Sequence, residues 1–283
     1  MKKSQTIGID LGGTNVRIGL IEGEEIIKII SKKISSNETE DFIINEIADS
    51  IFELFNKNVS GIGIGVPSIV DIEKGIVYEV HNIPSWRKVY LKDIFEKIFN
   101  VPTNVNNDVN CFVLGEKHFG KGKGYQNIVG LAMGTGLGGG IIANGKLYSG
   151  KNGGAGEFGL MQYLDKNYEY YCSGQFFKGK FNLNGEDILR KAKNSDKKAL
   201  KIFDEFGEHM GNLLNSIMYA LNPELILLGG SVSSSYSFFR ESMFNSLKKH
   251  EFKVQLSQVK IQKSTLKHSA VLGAAKLISW LLT

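Results

Sequence analysis

Residues 6–11 alternate apolar and small side chains, the period-two signature of a strand. Gly12-Gly13-Thr14-Asn15 reads as a turn, residues 16–21 as a second strand, 22–25 as a second turn and 26–34 as a third strand. Together they predict an antiparallel meander. The period then changes: Ile44, Ile47, Ala48, Ile51 and Phe55 fall on one face of a helix predicted over 39–55. The run GIGIGV at 61–66 predicts a buried strand stopped by Pro67. A short helix is expected over 91–99, a strand over 101–105, and a helix over 108–119 with Asp108 at or near its N-cap.

The second half repeats this logic. A strand is predicted over 127–133, a turn at Gly134-Thr135-Gly136, a strand over 139–143 and a hairpin turn at Asn144-Gly145. The strand–glycine turn–strand echo hints at two related halves. Phe206, Met210, Leu213, Leu214, Ile217, Met218 and Leu221 trace one face of a long helix stopped by Pro223. A buried strand is predicted over 225–228, ending in Gly229-Gly230, and a terminal helix over 270–282. The motif layout suggests an N-terminal α/β domain over 1–113, with the helix at 270–283 returning to it, and a larger C-terminal α/β domain over 114–269.

Composition sharpens the picture at three points. Average usage would give about 20 Gly and 14 Pro in such a chain, whereas this one has 33 Gly and 4 Pro. The surplus glycine suits tight turns and close backbone approaches rather than linkers. Two cysteines, Cys111 and Cys172, cannot make a disulfide framework or a four-cysteine zinc site, which together with the lack of a signal-peptide pattern leads to the expectation of a cytoplasmic protein. Cys111 is expected to pack in its helix as a small apolar residue. No apolar run approaches the roughly 20 residues of a membrane span. The net charge of +5 is spread along the chain, so it suits an anionic small ligand and gives no nucleic-acid footprint.

The glycine turns are the first candidate chemistry. At Asp10 to Asn15, Gly12 and Gly13 let backbone N–H groups point at an anion, Thr14 and Asn15 can add side-chain hydrogen bonds, and Asp10 sits where it could hold Mg²⁺ between phosphates. The turn leads into a strand and lacks the GxxxxGK[ST] pattern, so it is neither a P-loop nor a Rossmann turn; an ordinary glycine hairpin is the alternative. Gly134-Thr135-Gly136 offers a second set of amides with a hydroxyl, suited to a terminal phosphoryl group, and Gly229-Gly230 a third strand–glycine junction suited to close approach of an adenosine.

Taken in order, DLGGTNVRIG, GIGIGVPSIVD, HNIPSW, NNDVNCFVLGE, GTGLGGGI, GAGEFG, a downstream Glu with CSG, PELILLGG and AVLGAA resemble the ROK family of sugar kinases and repressors, within the actin/hexokinase/Hsp70 superfamily. The resemblance implies two RNase H-like (actin-like ATPase) α/β domains with ATP and sugar bound in the cleft between them. It implies that Asp108 is the general base, that Asn107 is a sugar ligand, and that Asn82, Glu157 and Glu169 bind the sugar. Taken alone, Asp108 reads first as a plain N-cap, and the flanking family phrase reverses that; the alternatives are a solvated loop residue for Glu157, part of a proline turn for Asn82 and a helix-surface residue for Glu169. Trp86 is expected in the core.

Most kinases of the family follow the GEFG glutamate with a His that binds sugar and a structural zinc; Leu160 stands there instead. The family's CxCGxxGC segment is also missing, so no zinc is expected, and the Tyr-rich stretch before Cys172 is expected to fill its space. The five His residues (81, 118, 209, 250, 268) show no ligand spacing and are expected to be structural or solvated. Zinc-less members include N-acetylmannosamine kinases and β-glucoside kinases. The resemblance therefore implies an ATP- and Mg²⁺-dependent kinase acting on the 6-hydroxyl of a hexose or N-acylhexosamine, with N-acetylmannosamine as first choice. A glucokinase, a fructokinase, and an allose or β-glucoside kinase are alternatives. The non-enzyme alternative is a sugar-responsive ROK regulator; only six residues precede Ile7, which is expected to leave no room for its DNA-binding domain. A homodimer is expected from the family habit.

Overall fold

The computed structural model of the protein describes residues 4–80, 82–151 and 153–280. His81 and residues 281–283, which belong to the predicted HNIPSW phrase and terminal helix, lie outside the described residues. The chain divides into two units. The first comprises Met1–Gly124, Leu147–Ala155 and Thr265–Thr283; the second comprises Tyr125–Lys146 and Gly156–Ser264.

Elements run in chain order as β1 (Gln5–Leu11), β2 (Asn15–Glu22), β3 (Glu25–Lys33), α1 (Glu40–Phe52), β4 (Val59–Val66), β5 (Ile69–Asp71), β6 (Ile76–Tyr78), β7 (Lys88–Val89), α2 (Leu91–Phe99), β8 (Thr103–Asn107) and α3 (Asp108–Phe119). They continue as β9 (Ile128–Met133), β10 (Leu137–Ala143), β11 (Lys146–Leu147), β12 (Gln162–Tyr163), β13 (Lys166–Asn167), α4 (Tyr168–Cys172), α5 (Gly174–Phe181), α6 (Gly185–Lys193) and α7 (Lys197–Leu221). The last are β14 (Leu225–Gly229), α8 (Tyr236–Leu247), α9 (Lys253–Gln258), β15 (Lys260–Lys263) and α10 (Ser269–Trp280).

The two large sheets repeat one topology. The first has the order β3-β2-β1-β4-β8, the second β11-β10-β9-β14-β15. In each, a strand pairs antiparallel with its hairpin partner on one side and parallel with a later strand on the other. The echo of glycine hairpins in the sequence is thus a repeat of architecture.

Period two explains the first unit's core. In β4, Ile62, Ile64 and Val66 face a cluster built with Ile7, Ile9, Ile18, Trp86 and Phe95, all fully or almost fully buried. The alternate positions Gly61, Gly63 and Gly65 leave the opposite face flat; α10 lies directly on it at Gly61 and Gly63, and the start of α3 at Gly65. A Cβ on Gly63 would stand 2.5 Å from the carbonyl carbon of Ala274, and one on Gly273 would stand 2.6 Å from the amide nitrogen of Gly115 in α3. Glycine on both partners lets backbone meet backbone.

The helix that opens at Asp108 continues to Phe119, and the N–H groups of Gly120 and Gly122 are still bound to the Glu116 carbonyl, so the first unit runs past residue 113. The segment Leu147–Ala155 also belongs to it, although it follows a second-unit hairpin. Asn110 Nδ2 donates to Ser149 Oγ at 3.4 Å, and a Cβ on Gly153 would stand 2.6 Å from the Val70 carbonyl oxygen.

Several elements differ from the sequence reading. The helix expected over 39–55 ends at Phe52, with Thr39 as its N-cap. The strand expected over 101–105 runs from Thr103 to Asn107, which makes Asn107 the cap of α3 and Asp108 its first residue. Leu221, expected on the apolar face of α7, is 38% exposed, because Asn222 turns left-handed immediately afterwards and the helix ends. The small sheet β5-β6-β7 and the edge strand β15 were not expected; β15, KIQK, is only partly buried and carries no apolar alternation.

Candidate active site

In the first unit, β8 delivers its last residues to the start of α3. Asn107 is extended (φ −63°, ψ 145°), and its Oδ1 accepts from Val109 N–H at 2.8 Å and Asn110 N–H at 3.2 Å. Its Nδ2 donates one hydrogen to the Ser68 carbonyl at 3.3 Å, and a second remains on the amide. Asp108 is half-buried, and its Oδ1 accepts from Val109 N–H at 2.9 Å. Behind them Asn106 accepts from Asn107 N–H at 2.8 Å and from buried Asn110 Nδ2 at 3.0 Å, so the junction is rigidly bonded. The first unit also holds a cavity of about 870 Å³ beside Asn104, Asn106 and Tyr148, but neither Asn107 nor Asp108 lines it.

Asp10, the next-to-last residue of β1, lies opposite Arg17 of β2, whose Nη1 donates to Asp10 Oδ2 at 3.0 Å. Burial raises the Asp10 carboxyl pKa, against the lowering effects of Arg17 and, more weakly, His268. Among the described residues no hydrogen bond takes Asp10 Oδ1. A single desolvated carboxylate oxygen suits a cation that keeps most of its water, as Mg²⁺ does. Gly12 N–H donates to the Asn15 carbonyl at 2.8 Å, and Thr14 and Asn15 are exposed, with Asn15 Nδ2 donating to Thr14 Oγ1 at 3.1 Å. Asn82 lies against this turn: a Cβ on Gly13 would stand 2.6 Å from Asn82 Nδ2. The structure thus brings Asn82 to the Gly12–Asn15 turn, which the sequence reading treated separately.

In the second unit, the Gly134-Thr135-Gly136 turn joins β9 to β10. Two of its carbonyls point back into the protein and the third closes the turn. Gly134 O accepts from Gly174 N–H at 2.8 Å, Thr135 O from Ser173 Oγ at 3.1 Å, and Gly136 O from Gly134 N–H at 2.9 Å. No hydrogen bond among the described residues takes the N–H of Thr135 or Gly136. With the Gly134 and Thr135 carbonyls tied down behind, the turn has the geometry of a backbone nest, in which two N–H groups can receive an anion. A cavity of about 630 Å³ runs from Gly134 and Thr135 past Gln175 and Phe177 to Ser231 and Ser235. Gly229 and Gly230 do not line it. Gly230 (φ 80°) instead sits where a Cβ would stand 2.5 Å from the Met133 amide nitrogen, and this tight passage releases the Ser231–Ser235 turn toward the cavity. Gln175, Leu189 and the serines were not singled out by sequence; only the folded α5, α6 and 231–235 segment bring them together.

Glu169 is the second residue of α4, and both of its oxygens are engaged: Oε2 accepts from Leu137 N–H at 3.0 Å and Oε1 from Gln175 Nε2 at 2.8 Å. It is therefore not a solvated helix-surface residue. Glu157 precedes a short 3-10 turn, Phe158–Leu160. Its side chain reaches solvent, yet the protein crowding its carboxyl raises its pKa, with repulsion from Glu169 as the second cause. Leu160, at the end of that turn, is 64% exposed.

The Tyr-rich stretch packs around His209. Tyr163 stacks on Tyr168 with centroids 4.3 Å apart, Tyr171 lies 4.6 Å from the His209 ring, and Tyr163 Oη is 3.2 Å from His209 Nδ1. Cys172 and Cys111 are fully buried, which pushes both thiols well above their ordinary pKa, so neither is a ready thiolate ligand. Among the described residues no group of three or more His, Cys, Asp or Glu side chains could hold a metal ion. No described helix is long and apolar enough to cross a membrane.

The ROK family model matches residues 6–280. The chain belongs to the ROK family. Among its ROK relatives, the glucokinase of Thermotoga maritima is 31% identical over 266 residues, 82% of this chain and 84% of that one. The ROK glucokinase of Streptomyces griseus, solved with glucose and AMPPNP, superimposes with a TM-score of 0.82 at 26% identity, over 97% of this chain and 99% of that one. A Listeria monocytogenes protein described as a candidate N-acetylmannosamine kinase gives 0.84 at 26% identity, over 99% and 100%. The repeated sheet order and these neighbours make the fold the actin-like ATPase fold, with two RNase H-like α/β domains.

Proposed function

We propose that this ROK protein transfers the γ-phosphoryl group of ATP to the 6-hydroxyl of an N-acylhexosamine, N-acetylmannosamine foremost. That it is a carbohydrate kinase follows from its family and its kinase relatives. The observation that carries the chemistry is the braced Gly134–Gly136 turn, whose Gly134 and Thr135 carbonyls are bound behind it while the N–H groups of Thr135 and Gly136 are left for an anion.

A sugar hydroxyl is a poor nucleophile near neutral pH. Asp108 accepts its proton as the oxygen attacks the γ-phosphorus and ADP departs, a contribution of about 10²–10⁴ in rate. Asn107 offers its second amide hydrogen to the sugar. Asn82, Glu157 and Glu169 take sugar hydroxyls; a carboxylate can accept from two at once. The N–H groups of Gly13 and Thr14 with the Thr14 and Asn15 side chains, and the N–H groups of Thr135 and Gly136, hold the phosphates, while Gly12 and Gly134 close the two turns by donating inside them, and Gly229 and Gly230 set the Ser231–Ser235 turn beside the adenosine. Asp10 would hold Mg²⁺, which neutralises phosphate charge when bound. Exposed Leu160, in place of a polar ligand beside Glu157, favours an acceptor carrying a small apolar substituent such as an N-acyl methyl.

A panel of glucose, fructose, allose, β-glucosides, N-acetylglucosamine and N-acetylmannosamine, ranked by kcat/KM with ATP and Mg²⁺, tests the acceptor. A tenfold or greater preference for an unsubstituted hexose would refute the N-acyl reading. Asp108→Asn is expected to lower kcat at least about a hundredfold with little change in sugar affinity. Near-normal turnover would remove Asp108 as the base.

A further inference from the structure

Glu169 is held by a hydrogen-bond circuit that begins at Leu137, directly after the Gly134–Gly136 turn, and ends on the Thr135 carbonyl of that turn. Leu137 N–H, at the end of that turn, donates to Oε2 at 3.0 Å, and Gln175 Nε2 donates to Oε1 at 2.8 Å. The backbone N–H of Gln175 donates to Ser173 Oγ at 3.1 Å, and the same hydroxyl donates to the Thr135 carbonyl at 3.1 Å. The orientation of the Gln175 amide is set by its partner: an ionised carboxylate only accepts, so the amide nitrogen must face it.

We infer that Gln175 is a positioning residue for phosphoryl transfer, orienting the Glu169 carboxylate toward the sugar. With one lone pair of each oxygen taken by Leu137 and Gln175, the remaining lone pairs are fixed in direction, and the carboxylate presents a preset two-point acceptor to neighbouring hydroxyls. Without Gln175 the carboxylate keeps a single anchor at Oε2 and turns about it. Gln175 also lines the cavity that begins at Thr135, so one side chain touches both the nucleotide side and the sugar-side carboxylate. The inference rests on the reading of Glu169 as a sugar ligand.

Gln175→Glu distinguishes positioning from bulk. It sets two carboxylates within hydrogen-bond distance, and such a pair is held together only when it shares a proton. Initial rates are measured with N-acetylmannosamine, or with glucose if that is the better acceptor, at pH 8 and pH 6, each against wild type at the same pH. For Gln175→Glu we expect the sugar KM to rise about tenfold at pH 8 and to fall back at least about threefold at pH 6, with the ATP KM moving less than about threefold. For Gln175→Ala we expect a similar rise in sugar KM at both pH values, with no recovery. A sugar KM within twofold of wild type for both variants, a loss in Gln175→Glu that is equal at the two pH values, or a loss that falls chiefly on the ATP KM overturns the inference. Glu169→Gln separates the two layers. If it leaves the sugar KM unchanged, the reading of Glu169 itself fails. If it raises the sugar KM while the Gln175 variants behave as wild type, only the role of Gln175 fails.

Discussion

Gly63→Ala tests the packing that carries Asp10 and the β8–α3 junction. The Cβ it adds points from β4 into α10 and lands 2.5 Å from the carbonyl carbon of Ala274, closer still to its oxygen. Ordinary contact begins at 3.4 Å, and both neighbours are backbone, so no side chain can swing aside. Clearing the carbonyl carbon alone takes a retreat of about 0.9 Å, and the nearer oxygen demands more, so about 0.9 Å is the least the helix must move. A helix of 12 residues is about 18 Å long and about 5 Å across its backbone cylinder, so the retreat opens at least about 80 Å³. At about 24 cal/mol per Å³ of void this is at least about 2 kcal/mol, and overpacking strain adds about 1–3 kcal/mol. We expect a loss of at least about 3 kcal/mol, a large share of an ordinary domain's stability. Trp86 is buried in the first unit, so its fluorescence during urea titration reports the unfolding of that unit. Gly134→Ala is the control, since its added Cβ meets nothing within 4 Å. A Gly63→Ala unfolding free energy within 1 kcal/mol of wild type would refute the direct backbone contact between α10 and β4.

Ser173→Ala removes both the partner of the Thr135 carbonyl and the cap of α5. It is expected to raise the ATP KM about fivefold to tenfold, more than the sugar KM, and an unchanged ATP KM in initial-rate kinetics would show that the brace does not shape the turn. Burial, followed by Lys276 and Lys117, lowers the His118 imidazole pKa from 6.5 to about 4. The unfolded chain takes up that proton first, so this contribution is intact above pH 6.5 and is lost as the pH falls toward 4. His118→Leu should flatten the fall of the urea midpoint over that window, and an unaltered slope would contradict the assignment.

Local pattern was enough for the elements whose physics is local. The period-two runs of β1, β2 and β4, the turn glycines and the 3.6-residue face of α7 follow from side-chain spacing and backbone sterics alone, and the motif order along the chain was enough to place it in the ROK family. Spacing even hinted at two related halves, because equal topologies need equal strand–turn–strand punctuation. What spacing does not carry is the partner of each hydrogen bond. Asn107 rather than Asp108 caps α3, Glu169 is tied to Leu137 and Gln175, and the Thr135 and Gly134 carbonyls face Ser173 and Gly174. The bonds of Glu169 to Leu137 and of Ser173 to Thr135 join residues 32 and 38 positions apart, whereas Glu169 to Gln175 and Asn107 to its own helix are short-range choices that spacing leaves open; all are settled only when helix and sheet pack. The chain on its own therefore determined which elements form and which family they make. Tertiary packing decided which oxygen and nitrogen atoms remain for a ligand, because a polar atom is available only after the fold has chosen the partners of all the others.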